Sequence, residues 1–268
     1  MIRLRSLITY GLLCIAAFVS VFPFFWMLIG TTNTSADIIR GKITFGGELA
    51  TNIANFVAQV DVARVLFNSA YLAIATSVLT LLVSSLAGYG FEMFRSKFRE
   101  RIFAGLLLML SVPFAALMIP LFVMMARAGL INTYAAIMLP GIASIFIIFY
   151  FRQSTKAFPH ELRDAAKIDG LKEWQIFLHI YLPVMRSTYA AATIIVFMAN
   201  WNNYLWPLIV LQTNEMKTIT LVISSLASAY YPDFGVVMVG TVLATLPTLI
   251  VFFLLQRLFV QGMLGSVK

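Results

Sequence analysis

Six long apolar stretches, separated by polar segments, dominate the pattern along the chain. A helix needs about 20 mainly apolar residues to cross a hydrocarbon core of roughly 30 Å. The pattern therefore predicts an all-α polytopic membrane protein with six transmembrane helices. The predicted spans are Leu7–Gly30, Leu66–Gly90, Phe103–Met125, Ala135–Phe151, Thr188–Val210 and Asp233–Gln256. The fourth predicted span is the shortest, and because it contains Pro140 the residue at which it begins is not determined by the pattern.

The cations predict the orientation of these spans. Fourteen of the 19 Lys and Arg residues fall at the two termini and in the segments 91–102 and 152–187. Because Lys and Arg accumulate on the cytoplasmic side, both termini and these two loops are predicted to be cytoplasmic. We expect the cations of loop 91–102 to maintain this topology and to meet lipid headgroups. The polar segment 31–63 is then external.

The same pattern predicts two regions, and the composition excludes a soluble domain. Residues 1–65 would form the first helix with its external loop, and residues 66–268 a five-helix core that includes the loop 152–187. Apolar residues make up 61% of the chain and charged residues 11%, which is unlike a soluble globular protein. The topology explains the net charge of +8 without a nucleic-acid partner. We interpret the first span, which holds the single cysteine Cys14, as a retained anchor rather than a signal peptide.

Ionisable side chains are missing from the middle of every predicted span. Carriers driven by protons or sodium usually depend on such groups inside the membrane, so the sequence disfavours an ion-driven carrier. It also shows no catalytic carboxylate pair, and its two histidines, His160 and His179, lack the spacing of a metal site. No catalytic residue or metal ligand is predicted, and the energy for transport must come from another protein.

The cytoplasmic loop 152–187 carries the strongest local signal. Pro159 and Glu161 suit the beginning of a helix, and Gly170 suits the left-handed position after its end. A second short helix is predicted from about Lys172 to Tyr181, stopped by Pro183. One side of it would carry three large apolar residues: Trp174, Phe177 and Leu178. Small residues and a Gly at the bend would allow another protein to come close.

The spacing in this loop is Asp-Ala-Ala-x3-Gly-x9-Ile-x-Leu-Pro, from Asp164 to Pro183. The first half alone would also fit an ordinary connector, but the full spacing resembles the EAA loop of the permease subunits of binding-protein-dependent ABC importers. Asp164 replaces the family's first Glu and keeps the carboxylate. Four further stretches are similar to the carbohydrate-uptake branch, in particular to the second permease of maltose-type systems. They are residues 149–153, 161–170, 201–207 and 256–262.

The resemblance implies a coupling role for the loop. In the family this loop docks in a groove of a cytoplasmic ATPase, and closure of the ATPase dimer on ATP rotates the spans. Residues 260–268 would also touch the ATPase. The chain has no Gly-x4-Gly-Lys-Ser/Thr pattern, so ATP and Mg would be used by the partner subunits and no cofactor bound here. The coupling residues implied are Glu161, Asp164, Ala165, Ala166, Asp169, Gly170, Ile180, Leu182 and Pro183.

The fifth span holds a second candidate site, where Asn200, Asn202 and Asn203 precede Tyr204 and Trp206. Amides hydrogen-bond hydroxyl groups and aromatic faces stack on sugar rings, which suits a sugar pathway. Asparagines also join transmembrane helices, and aromatic residues form interfacial belts. Both interpretations stay open at this point.

The sequence thus predicts a permease subunit of an ATP-driven importer in a bacterial or archaeal cell (inner) membrane, moving a sugar or oligosaccharide. The resemblance implies three kinds of partner: a homologous permease, two ABC ATPase subunits and an extracytoplasmic solute-binding protein. Two alternatives stay open. One is an ABC permease for another solute, such as glycerol phosphate, a polyol or an amino acid, and the other is an unassisted secondary carrier.

Overall fold

The computed structural model describes the backbone of residues 2–265 and the side chains of residues 6–257. Every regular element within residues 2–265 is helical. The predicted ATPase contact of residues 260–268 lies outside the described side chains. The α-helices are α1 Ile2–Gly30, α2 Ser35–Ile39, α3 Leu49–Gln59, α4 Val62–Met93, α5 Lys97–Met109, α6 Phe114–Arg127, α7 Tyr134–Met138, α8 Ile145–Thr155, α9 His160–Ile168, α10 Glu173–Ile176, α11 Leu182–Val184, α12 Arg186–Trp201, α13 Leu205–Val210, α14 Ile219–Ala227 and α15 Phe234–Gly265.

Three of these helices are long and apolar enough to cross a membrane by themselves. They contain the segments Ser6–Gly30, Val62–Met93 and Phe234–Arg257. Three pairs of helices, each bent at a short break, bring the number within the described residues to six if each pair forms one span. The pairs are Lys97–Met109 with Phe114–Arg127, Tyr134–Gly141 with Ile145–Thr155, and Glu173–Val184 with Arg186–Val210. The all-α class and the six predicted spans are confirmed in this form.

The third span is not the continuous helix that the sequence predicts. It ends at Met109 and begins again at Phe114, with the two axes 101° apart. Pro113 stands directly before α6 with an extended backbone (φ −65°, ψ 138°). A proline lacks the N–H that would continue the hydrogen-bond ladder and disfavours a helical residue before it. The fifth predicted span is interrupted as well, at residues 202–204 between α12 and α13.

One compact unit consists of residues 1–65 and 219–247. The polar segment 31–63, which the sequence predicts to be external, is folded here. The Asn52 amide is buried and donates to the carbonyl oxygens of Thr31 and Asn33 at 2.9 and 3.0 Å. Ser35 Oγ donates to Asp233 Oδ1 at 3.1 Å, which ties α2 to the beginning of α15.

The second unit consists of residues 66–218 and 248–268 and holds both candidate sites. In it α4 packs directly on α8, because a Cβ added at Gly88 would lie 2.6 Å from Phe151 Cβ and 2.8 Å from the Arg152 backbone nitrogen. Small residues allow such close approach of transmembrane helices. Phe151 also packs with buried Ala192 and Val196, so α8 joins α4 to α12. The last four residues of α8, which ends at Thr155, are the first four residues of the loop 152–187.

Candidate coupling loop and membrane cavity

The first helix of the loop ends as the sequence predicts. Gly170 has φ +81°, its N–H donates to Lys167 O, and the N–H of Leu171 donates to Ala166 O, both at 3.0 Å. These two bonds define a Schellman motif, in which a residue without Cβ takes the left-handed position at little steric cost. A Cβ at Gly170 would meet nothing within 4 Å, so the turn faces open space.

The exposed face of α9 combines acidic and apolar groups. Glu161, Asp164, Ala165, Asp169 and Gly170 are exposed, as the coupling role requires, whereas Ala166 is buried against its own chain. Next to them stand two large apolar side chains that are exposed, Ile168 at 87% and Trp174 at 59%. Aromatic side chains are enriched at protein interfaces, so this face suits a docking partner.

The second short helix differs from the prediction in two ways. Trp174 and Leu178 are exposed, but Phe177 points inward because it begins a π-helical turn, Phe177–Tyr181, that widens the helix. The helix also passes Pro183 and ends at Val184. Pro183 interrupts the hydrogen-bond ladder, and the π-helical turn immediately before it accommodates the missing N–H. Ile180 is half-buried, while Leu182 and Pro183 are exposed.

One carboxylate holds the loop to the membrane helices. Glu173 Oε1 contacts Lys167 Nζ at 2.9 Å and accepts a bond from Arg163 Nη2 at 2.5 Å. Its Oε2 accepts bonds from Tyr89 OH at 3.0 Å and from Arg163 Nε at 3.3 Å. Through these contacts Glu173 links α9, α10 and α4.

Aromatic packing reinforces this link. Tyr89, Phe158, Phe177 and Tyr181 form a buried cluster, and the Tyr181 ring lies 4.8 to 5.3 Å from the other three ring centroids. Tyr181 OH is also 2.6 Å from Thr155 Oγ1, at the end of α8. These contacts fix the loop to the C-terminal ends of α4 and α8.

A second ion network lies at the same level. Arg152 and Glu92 are almost fully buried, 3.5 Å apart, and Arg152 also pairs with Glu100. The Arg152 guanidinium lies 4.0 Å from the centre of the Phe103 ring, which adds a cation–π contact. Removing one partner from such a buried pair leaves an uncompensated charge, so this network stabilises the packing of α4, α5 and α8.

These contacts change the interpretation of loop 91–102. Arg95 pairs with Glu92, and Arg99 donates to the Phe94 carbonyl, so these two cations bind their own chain. Lys97 and Arg101 are exposed and form no ion pair within the described part of the chain. The sequence analysis missed the pairs of Arg152 with Glu92 and Glu100, because these partners are 60 and 52 positions away and nothing near Arg152 indicates them.

A cavity of about 420 Å³ lies among α4, α6, α8, α12 and α13. Three of the five pathway residues predicted from the sequence line it, namely Asn200, Asn203 and Trp206, whereas Asn202 and Tyr204 do not. The structure adds residues that the sequence analysis did not select. These further lining residues include Thr80, Phe114, Gly141, Ser144 and Phe146.

Trp206 forms part of the wall rather than an open stacking surface. It is 2% exposed, and its indole N–H donates to the Ala136 carbonyl at 2.8 Å. Its ring stands edge-on to the more exposed Phe114 ring, with centroids 6.1 Å apart. Trp206 therefore holds Phe114, which carries the accessible aromatic surface.

Comparisons with known proteins agree with this architecture. Residues 80–265 match the model of the family described as binding-protein-dependent transport system inner membrane component. A lactose transport system permease of Rhizobium radiobacter is 71% identical over 266 residues, covering 99% of this chain and 97% of that protein. An arabinooligosaccharide transport system permease of Halalkalibacterium halodurans is 37% identical, with coverages of 99% and 97%.

A solved structure shares the fold. It is a bacterial ABC transporter involved in the import of the acidic polysaccharide alginate, matched with a TM-score of 0.82 and 19% identity over 96% of this chain and 97% of the other. The helical order, the EAA-like loop and the match over residues 80–265 lead to one conclusion. The chain belongs to the family of inner membrane components of binding-protein-dependent transport systems.

Proposed function

We propose that this chain is a transmembrane permease subunit of an ATP-driven importer and that its solute is a sugar of about the size of lactose. The observation that carries the proposal is the 71% identity, over 99% of the chain, with a lactose permease. The lack of ionisable groups in the middle of the predicted spans supports an external energy source. ATP and Mg are used by two partner ATPases, and this chain binds neither.

The loop 152–187 is proposed to dock on one of those ATPases from the cytoplasmic side. Glu161, Asp164, Ala165, Asp169 and Gly170 form the docking face, together with exposed Ile168 and Trp174. Ala166, Ile180, Leu182 and Pro183 shape the loop behind that face. Closure of the ATPase dimer pushes the loop. The contact of Glu173 with Tyr89 passes the displacement to α4, and the contact of Tyr181 with Thr155 passes it to α8. This is a rigid-body transition between two packings, with ATP favouring one of them.

The remaining partners are a homologous permease and an extracytoplasmic solute-binding protein. The folded external segment 31–63 offers a surface for the binding protein. The proposed solute pathway follows the cavity residues Asn200, Asn203 and Trp206, and the structure gives no reason to keep Asn202 and Tyr204 in it.

The proposal is tested by purifying the tagged chain from its native membrane in mild detergent and identifying the co-purified proteins by mass spectrometry. We expect an ABC-type ATPase and a second permease. The purified complex, reconstituted with the binding protein, is expected to take up radiolabelled lactose only when ATP is present. A chain that comes out alone, or a complex whose lactose uptake does not depend on ATP, would contradict the proposal.

A further inference from the structure

Two open surface pockets adjoin at the corner where α4 ends and α5 begins. The first, of about 560 Å³, is lined by Arg95, Ser96, Lys97, Glu100 and Arg101. The second, of about 530 Å³, is lined by Glu92, Met93, Arg95, Lys156 and His160. Because Arg95 lines both pockets, we treat their lining residues as one surface and call it the corner surface.

Positive charge exceeds negative charge around the corner surface. Residues 92–101 and 152–156 contain six Lys and Arg residues but only two carboxylates, Glu92 and Glu100. Buried Arg152 pairs with both of these carboxylates. Three exposed cations form no ion pair within the described part of the chain, namely Lys97, Arg101 and Lys156. An anion at this surface would therefore meet cations whose charge the protein itself does not neutralise.

Arg95 can bind an anion while it keeps its carboxylate partner. Its side chain is 56% exposed although it pairs with buried Glu92. A guanidinium carries five N–H donors in a planar fork, so donors remain after one edge has bonded a carboxylate. Arginine binds phosphate groups through paired hydrogen bonds, and lysine binds them as a point charge. The donor set of the corner surface thus suits a phosphate group.

An exposed apolar strip continues from these cations along α5. Phe98 is 71% exposed, and Ile102, one helical turn later, is 42% exposed. Arg101 lies beside them, because residues three and four positions apart are neighbours on a helix surface. Helix α5 begins one of the bent pairs that are apolar enough to cross a membrane. A phosphate group joined to acyl chains would contact the cations and the strip, whereas free phosphate would contact the cations alone.

We propose that the corner surface binds an acidic phospholipid, with the phosphate on Arg95, Lys97 and Arg101 and the acyl chains along Phe98 and Ile102. Each Lys or Arg near a membrane surface adds to the attraction for acidic lipids. The proposal turns the general expectation that loop 91–102 meets headgroups into a defined site. It does not depend on which solute the protein moves.

The site is connected to the loop 152–187 through charged side chains. Arg95 pairs with Glu92, and Glu92 pairs with Arg152, the first residue of that loop. A bound phosphate neutralises the excess cations around this buried pair. The lipid therefore stabilises the corner of α4 and α5 against the end of α8, from which the loop begins.

The test is native mass spectrometry of the complete transporter, delipidated and then given phosphatidylglycerol or phosphatidylcholine with the same acyl chains. The double variant Lys97→Gln and Arg101→Gln is expected to weaken phosphatidylglycerol binding at one site about tenfold. Phosphatidylcholine, whose headgroup has no net charge, should bind the wild type more weakly and be little affected by the substitutions. The double variant Arg40→Gln and Arg127→Gln is the matched control, since it removes two exposed cations from positions predicted to be external.

Phe98→Ser tests the apolar half of the site while all the cations remain. It is expected to weaken phosphatidylglycerol binding about fivefold, because the acyl chains lose an apolar contact. Size-exclusion chromatography checks that each variant assembles, and Phe98→Ser tests the site even if the loss of two cations prevents assembly. Millimolar inorganic phosphate is added in a separate arm and is expected to leave the lipid bound.

Three results would overturn the proposal. The first is equal phosphatidylglycerol binding by the wild type and the Lys97 and Arg101 double variant, or an equal loss in the control variant. The second is equal affinity of the wild type for the two lipids. The third is displacement of the lipid by inorganic phosphate, or unchanged affinity in Phe98→Ser, either of which would assign the cations to a free anion.

Discussion

Replacement of Gly170 by Arg is expected to reduce ATP-driven uptake by at least about tenfold, because it removes the contact between the loop and the ATPase. Gly170 lies at the exposed turn with φ +81°, and a Cβ there meets no atom of this chain within 4 Å. The Arg side chain therefore fits the isolated subunit but occupies the space in which the partner must dock.

Gly170→Ala distinguishes the effect of the size of the Arg side chain from the effect of backbone strain. Any residue with a Cβ in the left-handed position costs about 1–2 kcal/mol, so both variants carry the strain and only Arg carries the bulk. ATP-driven uptake and co-purification of the ATPase are measured for both. We expect membrane insertion in both variants and loss of the ATPase in Gly170→Arg alone. Normal uptake by Gly170→Arg would remove the docking role from this loop.

Replacement of Gly88 by Ala is expected to destabilise the second unit. The new Cβ would lie 2.6 Å from Phe151 Cβ and 2.8 Å from the Arg152 backbone nitrogen, and backbone atoms cannot move aside as a side chain does. Overpacking of this kind costs about 1–3 kcal/mol, or roughly 5 °C in the unfolding midpoint. The midpoint is measured in detergent by fluorescence-detected size-exclusion chromatography after heating.

Gly90→Ala is the matched control, two residues later on the same helix. A Cβ at Gly90 meets nothing within 4 Å, and Ala is favoured over Gly inside a helix by about 0.5–1 kcal/mol. We expect its midpoint to equal or exceed that of the wild type. If Gly88→Ala and Gly90→Ala have the same unfolding midpoint, the inference that α4 packs closely on α8 is wrong.

Local features of the loop are predictable from the sequence. The helix start at Pro159, the helix over residues 160–168 and the left-handed Gly170 each depend on neighbouring residues only. The contacts that hold the loop against α4 cannot be predicted in this way, since Tyr89 and Glu173 are 84 positions apart. Nothing near either residue indicates the other, so only the fold can bring them together.

The membrane spans likewise have some features that the sequence predicts and others that only the fold reveals. Length and apolarity predict where the chain crosses, because crossing is a property of the segment itself. The break of the third span at Pro113 has a local cause, but a long apolar run conceals it. The cavity is harder to predict from the sequence, because its polar residues come from separate helices. Each of these residues also has an ordinary structural explanation by itself. Asn200 and Asn202 are alike in sequence, and only the packing of α12 distinguishes them.

The central claim, that the loop 152–187 docks on an ATPase, is tested most directly by site-specific crosslinking. Cys14 is the only cysteine, so a Cys14→Ser background accepts a single photoreactive maleimide at Asp164→Cys, on the exposed face of α9. Gly47→Cys is the control, at an exposed position with free space around it in the segment predicted to be external. The account predicts an adduct with the ABC ATPase from Asp164→Cys and none from Gly47→Cys. No ATPase adduct at position 164 in active membranes, or an equal adduct at position 47, would contradict it.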